Sequence, residues 1–264
     1  MCTFIVAWQV FPDAPVVVAA NRDEALDRPA HPPGVYAENP RIVAPWDEEA
    51  GGTWIGYNDH GVVAAVTNRW IDADLAAERS RGLLVADVLE RESAEEAARF
   101  IERSTDRYEY DGFNLVVLDE NAALLLEWDG RLRVENLDPG VHVVVNVGAD
   151  DRYEIPAARP EVGERQAENA RRAIEKLQPE PGERAEAWHE RAATALRDHD
   201  YGFCVHGDVT EESSADQPEA NASGRGFGTR SSSLIRTESD GKFTYRFADG
   251  PPCRSEYEPV DVQV

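Results

Sequence analysis

The opening twenty-four residues constrain the chain most. They read MCTFIVAWQV, then FPDAP, then VVVAANRDE. Both arms are apolar and rich in β-branched residues, and a cluster of Pro12, Asp13 and Pro15 divides them, which predicts a β-hairpin. With the turn at Pro12 and Asp13, antiparallel pairing sets position 2 opposite positions 22 to 24. Cys2 then lies beside Arg22, Asp23 and Glu24: a thiol at the start of a strand, next to one cation and two carboxylates.

Composition decides what such a thiol serves. The formal net charge is -24 and the isoelectric point about 4.5. The cations are almost all arginine, with lysine only at Lys176 and Lys242. Acidic residues spread along the whole chain, so they do not form an interaction tail. An evenly acidic, lysine-poor surface predicts a halophilic protein, since salt screens its self-repulsion. Nucleic acid and anionic membranes are excluded as partners, because both require a basic face. Cys2, Cys204 and Cys253 are odd in number and widely spaced, which implies no disulfide framework. No CxxC or Cys/His cluster has metal-site spacing, so no metal is expected. The apolar start lacks the basic segment and cleavage site of a signal peptide, and no apolar run reaches the length of a membrane span. A cytoplasmic, soluble protein with a small-molecule partner is the expectation; the oligomeric state is open.

Along the chain, Ala25 to Pro40 reads as a loop because of Pro29, Pro32, Pro33 and Gly34. A short strand follows at Arg41 to Pro45. GGTWIGYNDHGVVAAVTNRW, from Gly51 to Trp70, reads as a second hairpin whose second arm is apolar enough to be covered on both faces. Helices are expected at Ser80 to Glu90 and Ser93 to Arg103, the latter with a Ser93–Glu96 capping box. Asp111 to Leu118, Ala122 to Trp128, Arg131 to Glu135 and Val141 to Val147 read as four strands of one antiparallel meander. Helical periodicity returns over Glu161 to Leu177 and Glu183 to Asp198. Residues 208–226 are acidic, serine-rich and aperiodic, which predicts a surface insertion. Phe227 to Thr237 and Lys242 to Phe247 form a last hairpin. The whole, 1–264, reads as one α+β domain of two stacked antiparallel sheets with helices outside.

Several residues could carry chemistry. If Met1 is removed, the Cys2 α-amine becomes a base for its own thiol, the logic of an N-terminal nucleophile. Arg22 would favour the thiolate and Asp23 would hold the ammonium. The alternative is a small buried hydrophobe at residue 2. Asn68 and Asn146 each close an apolar strand and offer a side-chain amide to an oxyanion, or simply shape a turn. Arg230, in FGTRSSSLI, suits a carboxylate. Cys204 and His206 in FCVHGD read as a structural cysteine and a loop histidine. Trp8, Trp46, Trp54 and Trp70 read as core or pocket lining.

Taken together, Met-Cys-Thr at the start, Asn21-Arg22-Asp23-Glu24, GGTWIGYN with Thr67-Asn68-Arg69, Cys204-Val205-His206-Gly207 and Gly228-Thr229-Arg230-Ser231-Ser232 resemble the NRDE-domain family of transport and Golgi organisation proteins. The 208–226 segment departs from the family pattern by separating the last two pieces. The resemblance implies a four-layer αββα sandwich like that of N-terminal nucleophile hydrolases. It does not fix the activity, the family being associated with haem, acyl-CoA and lipid handling. A more distant similarity, by residue order and type only, is to choloylglycine and penicillin acylase-type enzymes, and it implies a C–N amide hydrolase using Cys2, Arg22, Asp23, Asn68, Asn146 and Arg230. The alternative is a non-catalytic carrier or chaperone of haem, acyl-CoA or lipid in the same pocket, with Cys2 or His206 as a haem ligand. Adjacent Arg22 and Asp23 depart from the acylase spacing. In a strand they point to opposite faces, so only one of them can face Cys2.

Overall fold

A computed structural model describes residues 2–207, 226–238 and 241–262 of the 264. The expected insertion lies, except for Gly226, outside the described residues. The first hairpin forms as the sequence dictates. Strands β1 (Thr3–Phe11) and β2 (Ala14–Ala25) pair antiparallel across Pro12 and Asp13, with Thr3 opposite Asn21. They lie inside an eight-stranded sheet with β10 (Gly140–Val145), β11 (Gly148–Ala149), β12 (Arg152–Tyr153), β13 (Phe227–Thr237), β14 (Phe243–Ala248) and β15 (Glu258–Pro259), in the order β12-β11-β10-β1-β2-β13-β14-β15.

The second sheet runs in sequence order. It holds β3 (Ala30–Glu38), β4 (Arg41–Asp47), β5 (Ile55–Asn58), β6 (Val63–Asn68), β7 (Phe113–Leu118), β8 (Ala123–Trp128) and β9 (Leu132–Asn136). Strand alternation distributes the apolar residues over three layers. Phe4, Val6, Val16 and Val18 point between the sheets, meeting Ile55, Tyr57, Val63 and Val116. Ile5, Ala7, Val17 and Ala19 point outward, under helices α3 (Pro160–Lys176) and α4 (Ala185–Arg197). On the other side α1 (Arg81–Val88) and α2 (Ala94–Thr105) cover Val62, Ala64, Leu115 and Leu126. The order of layers is helix, sheet, sheet, helix: the αββα sandwich.

Two expectations are corrected. The segment read as a loop is largely strand β3. It sits at a sheet edge with bulges against β4, where prolines displace no ladder bond on the open side. The four-strand meander also breaks after its third member, because β10 crosses to the first sheet and pairs with β1. The burial of the strands explains the switch. β9 is half exposed, as an edge requires, whereas Val141 to Val145 are all buried, as a central strand covered on both faces requires.

The Ser93 cap forms, its Oγ accepting from Glu96 N at 3.2 Å. The reciprocal half of the box is displaced by one residue, the Glu96 carboxylate taking Glu92 N.

Candidate functional site

The site forms where β1 begins and β2 ends. Cys2 and Arg22 continue the inward-facing row of Phe4 and Ala20, so both point into the gap between the sheets. There they line a pocket of about 100 Å³ with Glu24, Arg28, Asp47 and Trp54. The Cys2 Sγ donates to the Asp23 carbonyl oxygen at 3.6 Å. Burial pushes the Cys2 thiol above its ordinary value. A thiol so placed needs a base to become nucleophilic.

Arg22 spans from one sheet to the other. Its Nη2 lies 2.8 Å from Asp47 Oδ2, and its guanidinium stacks 4.1 Å over the Trp54 ring. Burial lowers its pKa, yet an arginine remains a cation. Asp47 also accepts from Arg28 through both oxygens and from Ala50 N. Burial opposes its ionisation, but the hydrogen bonds from Arg28 and Ala50 outweigh that, and the carboxyl lies below its ordinary value.

Asp23 alternates to the opposite face. Its Oδ1 accepts from Thr229 Oγ1 at 2.6 Å, and burial raises its pKa. Asn21, on that same face, donates to Leu196 O and Phe203 O and so closes the end of α4. The NRDE run is therefore split in its attachments: Asn21 ties the strand to the end of α4, Asp23 bonds to Thr229 of the adjacent strand β13 at the edge of the pocket, and Arg22 turns to the thiol.

The glycine pair Gly51-Gly52 shapes the wall. Gly52 has φ +78°, and a Cβ there would stand 2.2 Å from the Gly82 carbonyl oxygen. That close approach lets Thr53 N donate to Gly82 O while Gly52 O accepts from Asp47 N, setting Asp47 against the start of α1.

The remaining expected residues divide. Asn68, half-buried at the end of β6, lines the Cys2 pocket. Asn146 stands behind it: its Nδ2 donates to Asn68 O at 2.7 Å, and its Oδ1 accepts from Gln166. Its amide is thus committed to holding Asn68. Arg230 is the extra residue of a bulge in β13 between Thr229 and Ser231, and its Nη2 reaches Arg28 O at 3.5 Å. Neither Asn146 nor Arg230 lines the pocket. His206 is likewise outside its lining; its Nε2 lies 3.0 Å from Cys253 Sγ, in a cluster with His199 and Cys204. Sequence spacing hid that cluster, because its members come from two segments far apart in the chain.

Arg28, Asp47 and Thr229 were not singled out for roles in the site from the sequence, whereas Trp54, read there as core or pocket lining, does line the pocket. Arg28 falls four residues after Glu24, and Thr229 lies inside the GTRSS motif. Asp47 carried no signal beyond a run of acids.

Paired antiparallel sheets between helical layers, with a cysteine entering the first strand, define the N-terminal nucleophile hydrolase fold. Two solved structures share it. One is a Caenorhabditis elegans N-acylethanolamine-hydrolyzing acid amidase ortholog, 13% identical with TM-score 0.53, covering 89% of this chain and 92% of that one. The other is the C2A mutant of conjugated bile acid hydrolase from Clostridium perfringens, 9% identical with TM-score 0.51, covering 99% and 97%. At these identities the likeness is one of fold. Residues 1–246 match the Transport and Golgi organisation 2 family, and the chain belongs to it. Among curated relatives, the Mus musculus Transport and Golgi organization 2 homolog is 32% identical over 108 residues, and the Homo sapiens homolog 33% over 113. These matches span 38% and 40% of the relatives' own length, and 39% and 41% of this chain.

Proposed function

We propose that the chain is a cysteine amidohydrolase acting on a C–N amide bond of a small molecule. The observation that carries this reading is the placement of the Cys2 thiol on the pocket wall, beside an arginine locked between Asp47 and Trp54. Removal of Met1 exposes the Cys2 α-amine, whose ordinary pKa of roughly 7.7–8.0 suits a base near neutrality. The amine takes the thiol proton as Sγ attacks the carbonyl carbon. It then gives that proton to the leaving nitrogen as the C–N bond breaks, leaving a thioester. Water, deprotonated by the same amine, attacks the thioester carbonyl carbon; the C–S bond breaks, the acyl group leaves as the carboxylic acid, and the ammonium returns its proton to the Cys2 sulfur.

Asn68 is the donor to the oxyanion, Asn146 and Arg230 act as positioning residues for Asn68 and Arg28, and Asp23 anchors the second strand. An adjoining pocket of about 240 Å³ shares Asn68 and Arg81 and is flanked by Trp70 and Arg159, so the substrate extends in that direction. The unpaired cysteines suit a reducing cytoplasm, and the charge of -24 suits a salt-rich one.

The test is hydrolysis of a panel of N-acyl amides by the parent protein and by Cys2→Ala. Turnover lost in the variant supports the reading. Equal turnover in both, or none in the parent across the panel, contradicts it.

A further inference from the structure

Outside the pocket, two cysteines and two histidines converge. His199, Cys204 and His206 lie in the segment that follows α4, and Cys253 lies in the turn that follows β14. One donor atom from each lies within 4.8 Å of all the others. Cys204 Sγ is 3.4 Å from Cys253 Sγ and 3.7 Å from His206 Nε2, and His206 Nε2 is 3.0 Å from Cys253 Sγ. The His199 and His206 rings lie 5.0 Å apart, centre to centre.

We propose that these four side chains bind one zinc ion as a closed structural site. Zinc takes four thiolate and imidazole ligands in a tetrahedron, with bonds of roughly 2.3 Å to sulfur and 2.0–2.1 Å to nitrogen. Those bond lengths place the ligand atoms about 3.3–3.8 Å from one another. Two of the three separations among Cys204, His206 and Cys253 fall in this range and the third is shorter by about 0.3 Å, while the His199 nitrogen lies within 4.8 Å of the other three, so side-chain rotations, chiefly of His199, would complete the tetrahedron. The soft, mixed sulfur and nitrogen donor set selects zinc over magnesium or calcium. Binding releases the two thiol protons to solvent. Four protein ligands leave no open position, so the ion acts as a staple and not as a Lewis acid.

The staple has a definite place in the fold. It ties the segment after α4 to the C-terminal turn. Between two of its ligands, Val205 exchanges hydrogen bonds with Thr229: Val205 N donates to Thr229 Oγ1, and Thr229 N donates to Val205 O, both at 2.9 Å. Thr229 Oγ1 in turn donates to Asp23. Gly207 fixes the exit from the site, because a Cβ there would stand 1.7 Å from Phe227 O. The ion would therefore brace the strand end that carries Arg22 and Asp23.

The experiment measures zinc in protein purified without chelator, then titrates reduced, metal-free protein with Co²⁺ alone. The expected result is one zinc per chain, with a thiolate-to-cobalt charge-transfer band and the visible bands of tetrahedral cobalt. Cys253→Ser and His199→Ala both alter exposed residues and leave the core untouched. Each should weaken Co²⁺ binding by more than the roughly 10–100-fold that loss of an outer partner costs. Removal of zinc should lower the thermal midpoint of the parent and not of Cys253→Ser. The proposal is overturned if the reduced parent gives no cobalt–thiolate band, if both variants bind Co²⁺ as the parent does, or if Cys204 and Cys253 form a disulfide whose reduction yields no metal binding.

Discussion

Arg22 Nη2 and Asp47 Oδ2 lie 2.8 Å apart and join the end of one sheet to the other directly beside the Cys2 thiol. Both residues are buried, at 7% and 6% exposure. A charge left alone in such a place is expensive, so the pair holds the pocket together more by what its loss would strand than by its own attraction. Asp47→Ala should lower stability by about 3 kcal/mol, read as a fall in the urea midpoint at unchanged slope. A loss below about 1 kcal/mol would show that water reaches Arg22.

Gly52 offers a steric test of the same wall. A methyl group there meets the Gly82 backbone at 2.2 Å, at a φ of +78° that a side chain adopts only under strain. Gly52→Ala should cost more than about 1–2 kcal/mol and displace Asp47 from the start of α1. Thermal unfolding measures the first effect. Loss of turnover exceeding the loss of folded protein measures the second.

Asn146 tests positioning. Its side chain joins Asn68 O to Gln166. Asn146→Ala leaves those groups unpaired at a cost of about 1–3 kcal/mol. If Asn68 is the oxyanion donor, the variant should also lose roughly 100-fold in kcat with KM little changed, because Asn68 shifts while the pocket stays. Equal kcat in parent and variant would remove Asn146 from the site.

The pH dependence of stability has two histidine contributions of opposite sign. His189 is buried, its Nε2 donates to Val18 O at 2.9 Å, and burial lowers its pKa from 6.5 to about 3. The unfolded chain therefore binds a proton that the folded chain refuses. Stability from this group is full above 6.5 and falls as pH drops from 6.5 toward about 3, by about 1.4 kcal/mol per unit. His142 runs the other way. Burial lowers its pKa, but the bond to Asp150 more than offsets that and raises the value above 6.5. Its stabilisation is present below 6.5 and is lost as pH rises through the raised value. Chemical denaturation across pH 4.5–6.5 on parent and His189→Gln separates the two, since the glutamine can keep the bond to Val18 without titrating. A slope unchanged in the variant would contradict the assignment.

The sequence showed most where local and long-range constraints agree. The first hairpin was legible because its turn, its apolar arms and its terminal NRDE run all demand one register, and that register puts Cys2 beside Arg22. Alternation also foretold that Asp23 and Arg22 face opposite ways. Strand β3 was hidden because prolines are punctuation in a sequence, yet an edge strand tolerates them. The crossing of β10 was hidden because a meander and a crossover share the same short turn, and only burial on both faces of Val141 to Val145 distinguishes them. Asp47 was invisible among acids that serve the surface. The pairing of Cys253 with His206 was invisible because spacing rules see ligands close in sequence, and these are brought together by the β13–β14 hairpin.

The central claim is that residue 2 becomes the start of the mature chain and reacts as a nucleophile. Intact-mass measurement of purified protein, before and after brief incubation with an activated N-acyl amide, tests it most directly. The expected result is a mass lacking Met1, then one acyl group per chain that maps to Cys2 and disappears on hydrolysis. A population that keeps Met1 throughout and takes up no acyl group would contradict it.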